Sequence, residues 1–160
     1  MLNINIIHTG SFKEKYLREA SAEYEKRISQ YCRLKDIELK EAFLSDNPSE
    51  SEIKAALACE EKKILENIRP GSYSIALCVE GVQITSPQLA EKFNSVACSG
   101  YSTINFIIGS SYGLSDNVKS LCDFKLSFSK MTFPHQLMRI ILEEQIYRAF
   151  NISNNGKYHK

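Results

Sequence analysis

The sequence has no apolar run long enough to cross a membrane, and its first residues show neither a basic region nor a secretory cleavage site. We therefore expect a cytoplasmic protein without membrane partners. The cysteines lie far apart and form no C-x-x-C pair, which disfavours a disulfide framework and a zinc ribbon. We expect reduced thiols and no metal site; the cysteines are Cys32, Cys59, Cys78, Cys98 and Cys122.

The glycine-rich fingerprints of common nucleotide sites are also missing. No G-x-G-x-x-G follows the first predicted strand, and no G-x-x-x-x-G-K-[ST] occurs anywhere in the chain. These absences argue against a classical dinucleotide-binding fold and against a P-loop NTPase. The Gly109-x-x-x-Gly113 turn is a weak signal by itself, because turns commonly use glycine.

Net charge is close to zero, at +1, but it is unevenly distributed. Residues 11–35 carry seven basic side chains against four acidic ones, and residues 130–160 carry five against two. Residues 38–66 are acidic, with eight carboxylates against four lysines. The two basic segments permit a nucleic-acid surface, although solvated helix faces explain them more simply.

Strand and helix patterns alternate along the 160 residues, of which 43% are hydrophobic. The runs Leu2–Ile7, Ser74–Val79 and Ile104–Ile108 are apolar on both faces, as in buried parallel strands. The pattern predicts one domain over residues 1–160, an α/β fold with a mainly parallel sheet flanked by helices. The other predicted strands are Ile37–Leu39 and Phe124–Phe128, and the predicted helices are Phe12–Tyr31, Glu52–Asn67, Ser86–Gly100, Ser115–Cys122 and Pro134–Phe150.

The final predicted helix has apolar side chains around its whole circumference and no polar face. A surface helix should have a polar face, so this helix must be covered on more than one side. A second subunit is the simplest additional cover, and we expect a homodimer.

Ligands of a parallel sheet bind beyond the carboxyl ends of its strands. Three segments follow such ends: Glu80-Gly81, Gly109–Gly113 and Ser129–Phe133. The run from Ser127 to Gln136 is rich in hydroxyl groups, and its backbone needs partners. A ligand is one candidate, and water or neighbouring loops are the alternative. For His135, periodicity alone favours a core or capping role.

Several motifs, taken in order, resemble the large-subunit ribosomal RNA methyltransferase H family of small bacterial SPOUT methyltransferases. They are Ile107-Ile108-Gly109 with Gly113-Leu114, the run Leu126–His135, Arg139, Glu144–Ala149 and the terminal Tyr158-His159-Lys160. The resemblance covers the whole chain.

The resemblance implies a C-terminal deep trefoil knot, a bound S-adenosylmethionine, a homodimer, and methylation of N3 of a pseudouridine in 23S rRNA, favoured on the assembled ribosome. By position, the cofactor would contact Leu77, Gly109, Phe128, Ser129, Lys130, Met131, Thr132 and Phe133. Candidates for RNA contact or catalysis are His135, Arg139, Tyr158, His159 and Lys160. Either histidine could take the N3 proton, Arg139 or the tail could stabilise the developing anion, and the tail could complete the partner's site.

Two positions depart from the family pattern. Ser110 stands where many relatives have a second glycine, and Ser11 stands where relatives often have lysine, leaving Lys13 or Lys15 as substitutes. Two other functions remain open. A non-enzymatic RNA-binding protein would not need the Ser127–His135 run, and a nucleotide-binding scaffold would be expected to carry a phosphate fingerprint.

Overall fold

Five parallel strands form one sheet in the order β2-β1-β4-β3-β5 in the computed structural model, which describes residues 2–158. The strands are β1 Asn3–Thr9, β2 Arg33–Leu39, β3 Tyr73–Val82, β4 Thr103–Ile108 and β5 Phe124–Leu126. The helices are α1 Lys15–Ile28, α2 Glu50–Asn67, α3 Ser86–Cys98, α4 Asp116–Leu121 and α5 His135–Ser153. The predicted α/β fold with a parallel sheet is confirmed.

Helices cover both faces of the sheet. One core lies under α1, α3 and α5, where Phe106 of β4 packs among residues that include Phe93 and Leu142. A second, smaller core lies under α2 and α4, where Ile107 packs with Ile64 and Val118. Successive residues of β4 therefore point into different cores, which explains why this strand is apolar on both faces.

Local signals set several helix starts. The Ser49 hydroxyl accepts the N–H of Glu52 and the Glu52 carboxylate accepts that of Ser49, so α2 begins at Glu50, two residues before the predicted start. Ser115 caps α4, as its sequence position predicted. The first helix begins at Lys15 rather than at Phe12, because Phe12 leaves the helix and packs its ring beneath the guanidinium of Arg139.

The end of the sheet differs from the sequence expectation. Phe128 was predicted to continue the last strand, but β5 ends at Leu126. Beyond Leu126, the Ser127 N–H donates to the carbonyl of Val82, and the Ser127 hydroxyl donates to the carbonyl of Ser129. The predicted end of the third strand at Val79 is also wrong, since β3 continues through an irregularity to Val82.

The final helix α5 packs against both α1 and α3 on one face of the sheet. The chain itself therefore covers α5 on more than one side, and the polar residues Arg139 and Glu143 are buried there. Within residues 2–158, no helix is both long and apolar enough to cross a membrane. The trefoil knot stays a prediction.

Candidate cofactor and active site

A cavity of about 590 Å³ opens at the carboxyl ends of β3, β4 and β5. Its size falls within the roughly 300–1,000 Å³ typical of small-molecule sites. The wall is formed by residues 77–80, 108–114, 126–129, 131–135, Lys119 and Met138. These stretches include residues from each of the three segments that the sequence placed beyond strand ends, although Gly81 and Lys130 do not line the cavity.

Most of the residues assigned to the cofactor from sequence lie together on this wall. The lining residues among them are Leu77, Gly109, Phe128, Ser129, Met131, Thr132 and Phe133. Lys130 is exposed and does not line the cavity. His135, a candidate base, also lines the cavity, at the first turn of α5.

Gly109 brings bare backbone to the cavity wall. A Cβ built on Gly109 would overlap the carbonyl carbon and oxygen of Gly113, so no side chain fits between the two. Gly113 has φ +78° and donates its N–H to the carbonyl of Ser110 at 2.8 Å. The loop is thus a tight turn that offers backbone groups to a ligand, because glycine lets the backbone approach a ligand closely.

Ser110, the departure from the family pattern, is accommodated without backbone strain. Its φ is not positive, since Asn155 is the one non-glycine residue in residues 2–158 with a positive φ. The Ser110 hydroxyl donates to Oε2 of Glu60 at 2.9 Å, and Glu60 is 3% exposed. The hydroxyl therefore fixes this turn to α2.

The segment after β5 partly satisfies its own polar groups. Ser127 donates to the Ser129 carbonyl at 2.9 Å, and the Met131 N–H donates to the Ser129 hydroxyl at 3.0 Å. Met131 remains 71% exposed although it lines the cavity. The hydroxyl-rich composition therefore builds the turn itself, and the exposed Met131 leaves an apolar surface for a ligand to cover.

An ion pair stands on the same wall. Lys119 Nζ lies 2.6 Å from Oε1 of Glu80 and 3.1 Å from Oδ1 of Asp116. The hydrogen bond from Lys119 lowers the pKa of Glu80, and the same bond raises the pKa of Lys119. The pair links the end of β3 to α4 and offsets the charge of Glu80.

Arg139 lies inside the protein, behind His135, rather than on the cavity wall. It is 6% exposed and bonds three side chains: NH1 to His8 Nε2 at 3.0 Å, NH2 to Asp36 Oδ2 at 3.1 Å, and Nε to Glu143 Oε1 at 3.3 Å. A second, much smaller cavity, of about 10 Å³, is lined by His8, His135 and Arg139 among others.

Sequence reasoning missed this network. The signal available was the spacing of His135, Arg139 and Glu143, four residues apart on one helix and therefore on one face. The partners His8 and Asp36 come from adjacent strands β1 and β2, where they stand two register positions apart. That proximity depends on strand order, which local patterns do not contain.

Glu143 is the most deeply placed acid of this network. Its Oε1 accepts from the Ser21 hydroxyl at 2.8 Å and from Arg139, whereas Oε2 is buried without a hydrogen-bond partner among the described residues. Desolvation raises the pKa of Glu143 to about 7, against the opposing effects of Ser21 and Arg139. A protonated carboxyl near neutral pH reduces the cost of leaving Oε2 unbonded.

Tyr158 lies away from the cavity within its own chain. Its ring packs against Tyr147 at 5.0 Å and under the Arg148 guanidinium at 4.6 Å, and its hydroxyl donates to Glu144 at 3.1 Å. Burial raises the pKa of Tyr158. The structure therefore brings His135 and the cofactor residues together but not Tyr158, and His159 and Lys160 lie outside the described residues.

The sheet and its glycine-lined cavity define an α/β protein that binds a small molecule at the carboxyl edge of a parallel sheet. The chain belongs to the SPOUT methyltransferase family, because the family model described as "Predicted SPOUT methyltransferase" matches residues 2–159. The resemblance noted from sequence is confirmed. Membership makes the protein a methyltransferase that uses a methyl-donor cofactor.

Relatives that match along their full length are ribosomal RNA large subunit methyltransferases by name. The chain is 48% identical to the ribosomal RNA large subunit methyltransferase H of Clostridioides difficile (strain 630), over 99% of this chain and 100% of that protein. It is 51% identical, over the same shares, to a Methanococcus maripaludis protein whose name assigns it provisionally to the same enzyme. A solved structure of a "probable methylase family protein" from Haemophilus influenzae Rd KW20 shares the fold, with TM-score 0.51, 15% identity, and coverage of 99% of this chain and 70% of that one.

Proposed function

We propose that this protein transfers a methyl group from S-adenosylmethionine to N3 of a pseudouridine in 23S rRNA, on the assembled ribosome in the cytoplasm. The observation that carries the proposal is the glycine-lined cavity at the carboxyl edge of the sheet, in a chain that matches methyltransferase H relatives from end to end. The cavity would have no purpose in a non-enzymatic RNA-binding protein.

The cavity fits the proposed cofactor by its chemistry as well as by its size. Gly109 and Gly113 present backbone to a nucleoside, and Leu77, Phe128 and Met131 supply apolar surface. When bound, S-adenosylmethionine supplies an electrophilic methyl group on a sulfonium. The protein's own contribution is to orient the two reactants and to exclude water, which suits an in-line displacement that needs little covalent help.

His135 is the described residue best placed to take the N3 proton. It lines the cavity at the start of α5, and a neutral imidazole is a suitable acceptor near neutral pH. Arg139 does not reach the cavity wall. In this proposal its positive charge stabilises the developing anion from behind His135, without direct contact. His159 is the alternative base, and Lys160 belongs to the same tail.

The active unit in this proposal is a homodimer. Tyr158 packs beside residues 144–148 of α5, far along the helix from His135 at its first turn, so Tyr158 does not reach the cavity of its own chain in this conformation. The helix also exposes Leu137 and leaves Ile140 and Ile141 only half-buried. We propose that these surfaces meet a second copy and that the tail completes the partner's site.

Calorimetric titration with S-adenosylmethionine, followed by a methyl-transfer assay on ribosomes that lack the modification, tests the proposal. We expect micromolar binding and incorporation at a single pseudouridine, detected as an added methyl group in the digested RNA. Binding without transfer to RNA would redirect the proposal to another methyl acceptor. RNA binding by folded protein that takes no cofactor would favour the non-enzymatic alternative.

A further inference from the structure

The carboxylate of Glu60 is buried beside the cofactor cavity and takes no part in the proposed reaction described above. Glu60 of α2 is 3% exposed, and both of its oxygens accept hydrogen bonds. Oε2 accepts from the Ser110 hydroxyl at 2.9 Å, and Oε1 accepts from the Ala42 N–H at 3.2 Å. The carboxylate is therefore held in one orientation, directly behind a residue of the cavity wall.

The charge of Glu60 is not offset by an ion pair within residues 2–158. Its two partners, a hydroxyl and a backbone amide, are neutral. Glu80, the acid on the cavity wall itself, is instead paired with Lys119. Because a buried charge is poorly screened, Glu60 projects a negative potential into the cavity through Ser110.

We propose that Glu60 is the residue by which this protein prefers the cationic form of its cofactor. The inference rests on the proposed function, in which the donor carries a positively charged sulfonium and the product, S-adenosylhomocysteine, is a neutral thioether. The two ligands differ by one methyl group and one charge. A fixed anion behind the wall attracts the donor and leaves the product unaffected, which favours exchange of product for donor after transfer.

Glu60→Gln is the central variant. The glutamine carbonyl can still accept from the Ala42 N–H, and its amide can donate to the Ser110 hydroxyl, which accepts as well as donates. The side chain's shape and connectivity are thus kept while its charge is removed. We expect S-adenosylmethionine to bind about tenfold more weakly and S-adenosylhomocysteine to bind within about twofold of wild type.

Glu61→Gln is the matched control. Glu61 is the next residue of the same helix. It accepts hydrogen bonds from Ser115 at 2.5 Å and from Asn117 at 2.7 Å, and so contacts the chain where the Gly109–Gly113 turn leads into α4. Neither Glu61 nor these two partners line the cavity. We expect the ratio of the two dissociation constants to stay at the wild-type value in this variant.

Ser110→Ala separates the hydroxyl contact from the charge. It removes the bond to Glu60 but leaves the carboxylate, so both affinities should change together, by less than about threefold. A ratio altered as strongly as in Glu60→Gln would overturn the assignment to charge. Equal weakening of both ligands in Glu60→Gln would overturn it too, in favour of a purely structural role.

The wild-type protein provides a test that does not depend on any variant folding. Its dissociation constants are measured for the sulfonium, for the neutral thioether and for an analogue with an ammonium group in place of the sulfonium. Tighter binding of both cations supports the inference, and equal binding of all three overturns it. Failure of the wild type to bind any of them would instead overturn the proposed function.

Discussion

Arg139 NH1 lies 3.0 Å from Nε2 of His8, so this contact joins the final helix to the first strand. The other ring nitrogen of His8, Nδ1, lies 2.9 Å from the carbonyl of Gly10. Asp36 Oδ1 stands 2.9 Å from the same Nε2, and Asp36 Oδ2 accepts from Arg139. The guanidinium therefore holds together two strands and the helix that carries His135.

Arg139→Met should destabilise the fold by about 3 kcal/mol, because it leaves Asp36 and Glu143 without their shared cation. Urea unfolding at pH 8 measures this change. Arg139→Lys keeps the charge but loses the fork of donors, and we expect an intermediate loss. An Arg139→Met protein of wild-type stability with weakened RNA binding would show that the arginine faces the substrate instead.

Glu143 gives the protein an unusual dependence of stability on pH. Burial raises the pKa of Glu143 to about 7, above its ordinary 4.5, so the folded state retains a proton that the unfolded state releases. The resulting stability is complete below about pH 4.5 and is lost as pH rises through 7.

The comparison variant is Glu143→Gln, which cannot titrate. Between pH 4.5 and pH 8, its free energy of unfolding should rise by roughly 2–3 kcal/mol relative to wild type. Urea unfolding of both proteins across this range isolates the effect from all other carboxyl groups. Parallel curves for the two proteins would mean that Glu143 stays ionised in the folded state.

The elements of the fold could be predicted from the sequence because their signals are local. Apolar runs located β1, β3 and β4, Ser115 predicted the cap of α4, and the motif from Phe128 to Phe133 located one part of the cavity wall. The strand order was not local information, and so the meeting of His8 with Arg139 was missed. The same holds for Glu60 and Ser110, which lie fifty residues apart in the chain.

Gly109→Ala should abolish cofactor binding at micromolar concentrations. The added Cβ would overlap the Gly113 carbonyl, and the displaced loop would no longer present its backbone to the cavity. Gly71→Asn is a suitable control, because Gly71 has a positive φ in a turn with open space around it, and asparagine tolerates that conformation. Calorimetric titration with S-adenosylmethionine measures the affinity of both variants, and thermal unfolding confirms that both are folded. Unchanged affinity in Gly109→Ala would place the cofactor elsewhere.

The position of Tyr158 permits a direct test of whether the tail serves the partner's site. His135→Ala removes the proposed base at the cavity, and Tyr158→Ala removes the tail ring that packs near Glu144. Each variant alone should lose most methyl transfer, since every site in its homodimer lacks one group. Tyr16→Ala, which alters another well-exposed tyrosine, should keep wild-type activity.

Unfolding and refolding the two inactive variants together distinguishes the arrangements. If the tail acts on the partner, each mixed dimer has one site with both groups intact, and random pairing restores about a quarter of wild-type activity. If the tail acted within its own chain, every site of a mixed dimer would still lack one group, and no activity would return. Recovery therefore requires both that the protein is a dimer and that its active site is shared between subunits. A monomer by light scattering, with full activity, would contradict both.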